Sequence, residues 1–119
     1  MKIELPVLEM GELHLSVETL TRSPVFVKDH SALLSAERKL RGVMERFGAT
    51  RKEEGWLILK RHTQRKVEVN LDRDEAVTVY VFVKRAVDLV RIKPVSKSLL
   101  SIFSQISLKL EYMGVALKP

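Results

Sequence analysis

The chain has 119 residues, 21 Lys and Arg against 15 Asp and Glu, a net charge of +6, and no cysteine. That length suits one domain, 1–119, around a single core. With 45% hydrophobic and 30% charged residues it is neither a disordered nor a membrane-embedded chain, and without thiols it has no disulfides, cysteine nucleophiles or cysteine-based zinc sites.

The longest uncharged run, Ser98 to Leu108, holds 11 residues, well short of the roughly 20 that a spanning helix needs. The opening "MKIELPVLEMGE" places acids where an export signal needs a long apolar stretch, so a cytoplasmic protein with no membrane contact is expected. Side-chain amides are confined to Gln64, Asn70 and Gln105. Few amides and many charges suit a thermophile, whose basic clusters are often mere solvated surface.

The charge is unevenly spread. Residues 1–20 set Lys2 against Glu4, Glu9, Glu12 and Glu18, a net of −3. Residues 38–66 set ten Lys and Arg against Glu45, Glu53 and Glu54, a net of +7. An asymmetry of this kind steers polyanions better than the same charge scattered evenly.

In chain order, "KIELPVLE" and "ELHLSVETL" read as two strands around Met10-Gly11, the first confined to an edge by Pro6. In the second, Leu13, Leu15 and Val17 alternate with His14, Ser16 and Glu18. "TRSPVFVKD" reads as a loop. Asp29 or Ser31 then caps a helix whose Leu33, Ala36, Leu40, Val43, Met44 and Phe47 share one face, and which Gly48 ends.

Four strands follow in the expectation: Trp56 to Arg61, Lys66 to Leu71, Ala76 to Lys84 and Val87 to Lys93, with "LDRDEA" and "KRA" as turns. After Pro94, Ser96 or Ser98 caps a last helix with an apolar seam of Leu99, Phe103, Ile106, Leu110, Met113 and Leu117. The predicted fold is therefore α+β: an antiparallel sheet of about 5–6 strands packed with two helices, in the order β-β-α-β-β-β-β-α. Strand–helix–four strands–helix resembles the half-repeat of the TATA-box-binding fold and a shortened helix-grip (START-like) fold, and the resemblance is one of element order.

Catalytic constellations are nearly absent. His14, His30 and His62 show no ligand spacing and read as exposed or capping residues, and Asp72, Asp74 and Glu75 read as turn acids. There is no glycine-rich phosphate loop and no activated nucleophile. No enzyme, metal or cofactor is expected.

"LILKRHTQRKVEV" is the segment that points to a partner. Its tip carries Lys60, Arg61, Arg65 and Lys66 without an acid, and Arg51 and Lys52 stand on the preceding loop. A hairpin pairing Arg61 with Lys66 would leave a like-charge pair for an anion to relieve. On the outer sheet face Tyr80 and Phe82 would stand among Arg61, Lys66, Arg91 and Lys93, as aromatics and cations do where unstacked bases are received. These residues suggest a nucleic-acid-binding module without sequence specificity. The alternative is a homo-oligomeric protein-interaction or small-molecule-binding module that uses the aromatic sheet face or the apolar C-terminal helix.

Overall fold

The computed structural model describes residues 2–22, 31–53, 55–90 (backbone only over 82–90) and 104–108. It is mixed α and β, as expected, but its strands form two two-stranded antiparallel ribbons. The elements are β1 (Lys2–Pro6), α1 (Val7–Thr21), α2 (Ser31–Phe47), β2 (Thr50–Lys52), β3 (Gly55–Leu57), β4 (Lys66–Asn70) and α3 (Arg73–Val90), with a 3-10 turn at Lys60–His62.

The ribbon β1–β4 pairs the first strand with one that lies beyond α1, α2, β2 and β3 in the chain. Ile3 pairs with Val69 and Leu5 with Val67. Ile3, Leu5 and Val69 turn inward, while Lys2, Glu4, Lys66, Glu68 and Asn70 are exposed, as a period of two demands. Pro6 ends β1 at φ −53° and ψ 143°, and the chain passes directly into α1. A helix start leaves amides without partners. Here Val7 N–H donates to Arg65 O at 2.7 Å and Leu8 N–H to Thr63 O at 3.3 Å, so the loop before β4 caps α1.

The segment expected as a second strand, "ELHLSVETL", is helical. Val7, Met10, Leu13, Val17 and Leu20 recur at three- and four-residue spacing and are all buried. Gly11 is no turn centre. A methyl group built there would stand 3.1 Å from Met44 Cε and 3.4 Å from Trp56 Cδ1, so the bare backbone admits α2 and β3 to close range.

Helix α2 follows its sequence pattern. Leu33, Ala36, Leu40, Val43 and Met44 are buried and Phe47 packs against the same core. Gly48 closes it at φ 97°, a left-handed backbone that suits glycine. Asp29 lies outside the described residues.

The largest correction falls on residues 76–90, expected as parts of two strands and found in α3. Asp72 Oδ1 accepts from Glu75 N–H at 2.8 Å and Glu75 Oε1 accepts from Asp72 N–H at 2.9 Å. This reciprocal capping box starts the helix, and Ala76 and Val79 then bury one side against the core. Alternating valines suit a strand, but their helical penalty is only some tenths of a kcal/mol each. Tyr80 and Phe82, two residues apart on a helix, do not share a face.

Of the last helix, residues 104–108 are described: they are helical, with Ile106 buried and Leu108 exposed. Phe103 and Leu110, and with them most of the expected seam, lie outside the described residues. With the expected sheet reduced to two ribbons, and helices α1 and α3 standing where strands were expected, neither likeness of element order survives.

Candidate functional site

The expected cations divide into two groups. Arg51, on β2, reaches inward: Nη2 donates to Glu18 Oε1 at 2.5 Å and Nη1 to Gly55 O at 3.0 Å. Lys66 stands on the outer ribbon face with Nζ 3.6 Å from Glu4 Oε1. It lies opposite Pro6, so the expected Arg61–Lys66 hairpin pair does not form. The residues between β3 and β4 coil through the 3-10 turn instead, held over the start of α1 by the two amide bonds to Arg65 and Thr63.

The second group is open. Lys52, Lys60, Arg61 and Arg65 are exposed and have no carboxylate partner among the described residues. The loop rests on the end of α2 through an edge-to-face contact of His62 with Phe47, centroids 6.2 Å apart. His62 is thus half-buried. Beside Phe47, Arg46 opens the groove between α2 and β4, about 480 Å³ in volume. Arg38, Lys39, Gly42 and Arg46 line it from α2, and Glu68 and Asn70 from β4. Arg38 and Arg46 also have no carboxylate partner among the described residues, whereas Lys39 is bound to Glu75. Tyr80 packs half-buried against the core. Phe82 lies on α3 with only its backbone described, and Arg91 and Lys93 lie outside the described residues.

A second cluster is one that sequence reasoning missed. His14, on α1, is fully buried, not exposed or capping. Its Nδ1 accepts from Trp56 Nε1–H at 2.9 Å. An indole can only donate, so in the neutral ring the proton sits on Nε2, which donates to Glu37 Oε1 at 3.4 Å and lies 3.9 Å from Glu18 Oε2. Arg51 and Arg22 face Glu18, and Arg41 faces Glu37. Burial pushes the His14 pKa below its ordinary 6.5, against the pull of Glu37 and Glu18. Its hydrogen bond from Arg51 holds Glu18 below the usual carboxylate range. The i,i+4 spacing of His14 and Glu18 was the one available signal; Glu37 comes from another helix.

The ligand atoms of His14, Glu18 and Glu37 lie within 4.8 Å of one another, a donor set that a cation can use. A metal on Nε2 would move the ring proton to Nδ1, directly against the Trp56 N–H. The cluster is an ion-paired hub that ties β2 and β3 to α1 and α2. No helix among the described residues is long and apolar enough to cross a membrane. The chain matches no protein-family model, no curated protein and no solved structure, so its own residues carry the functional reading.

Proposed function

We propose that this protein binds nucleic acid through phosphates, without reading sequence. Lys60, Arg61 and Arg65 of the loop are the principal contacts, with Lys52, Arg38 and Arg46 on the neighbouring surface. The sorting of the cations supports this reading. Arg22, Lys39, Arg41, Arg51 and Lys66 are held in ion pairs, as on a heat-adapted surface. Of the cations with no carboxylate partner among the described residues, Lys60, Arg61 and Arg65 lie on the loop and Arg46 at the α2 end on which it rests, where a polyanion can release counterions; Lys52 stands on β2, Arg38 farther back on α2 and Arg73 at the start of α3. Arg51 and Lys66, both engaged, are secondary in this scheme.

The test is an affinity measurement with labelled DNA and RNA at two salt concentrations. Replacing Lys60, Arg61 and Arg65 by Ala is expected to lower the salt slope by about 2–3 and to weaken all sequences alike. The fold is expected to survive, since all three side chains are exposed. Unchanged affinity and slope in the folded variant would refute the proposal.

One observation favours a second reading, a homo-oligomeric or protein-interaction surface: Leu57 and Leu59 are 60% and 61% exposed, and apolar surface of this kind often marks contacts. Light scattering distinguishes the two, because a monomer of 13.6 kDa at high micromolar concentration would remove the oligomeric reading.

A further inference from the structure

Gly42 stands in the middle of α2, where glycine weakens a helix through its backbone freedom. A methyl group built at Gly42 would stand 3.3 Å from Arg46 Nη1 and 3.9 Å from Arg46 Cζ. The Arg46 guanidinium therefore folds back along its own helix and lies over the notch that the missing side chain leaves. Arg38, Gly42 and Arg46 follow one another at four-residue spacing, so they form a single stripe on α2. That stripe is one wall of the groove against β4.

We propose that this groove seats the backbone of a single-stranded polynucleotide, with Gly42 as the residue that positions Arg46 for a phosphate. The proposal rests on the nucleic-acid reading above and names the form of nucleic acid. A cleft of about 480 Å³ has the size of a small-molecule site, and a rigid duplex would touch only its rim. A single strand can lie in it and continue past Phe47 and His62 onto the loop. There the exposed Leu57 and Leu59, directly before Lys60 and Arg61, offer apolar surface to unstacked bases. A duplex keeps its bases stacked inside and would set phosphates against those leucines. Single-strand binders combine a basic groove with side chains that receive unstacked bases, usually aromatic ones; here the leucines stand in that place. Glu68, also in the groove wall, opposes the anion and limits its affinity.

The experiment is fluorescence anisotropy with an oligothymidylate of about 20 nucleotides, longer than one small-domain site, and with a duplex of equal length. Wild type is expected to bind the single strand more tightly. Gly42→Ala is expected to weaken that binding severalfold while leaving the melting temperature equal or higher, which a merely structural glycine would not do. Arg38→Ala with Arg46→Ala is expected to lower the single-strand salt slope by about 1.4, near 0.7 per phosphate, and Glu68→Gln to tighten binding.

Equal affinity for the duplex would overturn the proposal. So would intact binding by the Gly42 and arginine variants while the loop variant loses it, although the broader reading would then stand. Displacement of the strand by low-millimolar inorganic phosphate would make the groove a free-phosphate site and overturn the polymer assignment. No binding of either oligonucleotide by wild type at low salt would remove the nucleic-acid reading itself, and this proposal with it.

Discussion

Replacing Trp56 by Phe removes one donor from a fully buried acceptor. The ring position is kept, but His14 Nδ1 loses its 2.9 Å hydrogen bond and, with His14 fully buried, cannot turn to water instead. A buried polar atom left in this state costs about 1–3 kcal/mol. For a chain of this size that is a fall in melting temperature of roughly 5–15 °C. The pH dependence gives a second readout. Burial lowers the folded pKa of His14 below 6.5, helped by Arg51 and opposed by Glu37 and Glu18. As pH falls, the unfolded chain therefore takes up the proton first. The stability due to neutral His14 is complete above about pH 6.5 and is lost progressively below it. In wild type a proton on Nδ1 would face the indole N–H; in Trp56→Phe that conflict is gone. The variant is therefore expected to lose less on acidification, so its deficit is larger at pH 7.5 than at pH 5.5. Melting followed by far-ultraviolet circular dichroism at both pH values measures this. An unchanged melting temperature, or a deficit that grows on acidification, would refute the tautomer and the hub.

Asp72→Ala removes the cap of α3 and is expected to cost about 0.5–2 kcal/mol, with loss of helical signal on melting; no change would mean that α3 starts elsewhere. Leu40→Ala, at a fully buried position of α2, is expected to cost about 2–5 kcal/mol by denaturant melting. In acid, Glu18 and Glu75 both contribute stability that is present above about pH 4.5 and lost as pH falls through their lower folded values. Burial pushes Glu75 upward, but the Lys39 ammonium, the Ser35 hydroxyl and the Asp72 amide outweigh it. Lys39→Met should therefore flatten the acid limb of the stability profile, and an unaltered limb would count against that pair.

Helix α2 was legible because every local signal agreed: one apolar face, charged flanks and a terminal glycine. Helices α1 and α3 were misread where two periodicities coexist. Leu13, Leu15 and Val17 alternate as a strand would, yet Val7, Met10, Leu13, Val17 and Leu20 also repeat as a helix, and the core selects the second set. In α3 the sequence did contain the deciding signals. Asp72 and Glu75 have capping-box spacing, and residues 73–90 run for 18 positions without Gly or Pro, long for a strand and ordinary for a helix. The junction "KRA" contains none of the residues that favour turns. The β1–β4 pairing, by contrast, joins segments 60 residues apart (Lys66 and Pro6), and nothing local specifies it.

The charge asymmetry of the sequence explains why the candidate site was legible only in part. Acids in residues 1–20 and cations in residues 38–66 suggested an oriented field. Folding brings the two segments together: Glu18 meets Arg51 across α1 and β2, and Glu4 meets Lys66 across the ribbon. Part of the asymmetry is thus neutralised internally, and charge density along the chain could not say which cations these would be. Arg51 sits opposite Trp56 in the β2–β3 register, so the same pairing that places the indole on His14 turns the Arg51 guanidinium toward Glu18. Arg38 and Arg46 fall on the exposed faces of α2, outside its apolar stripe. Their standing as open cations depends on Gly42 beside them and on β4 across the groove, a strand that arrives from farther along the chain.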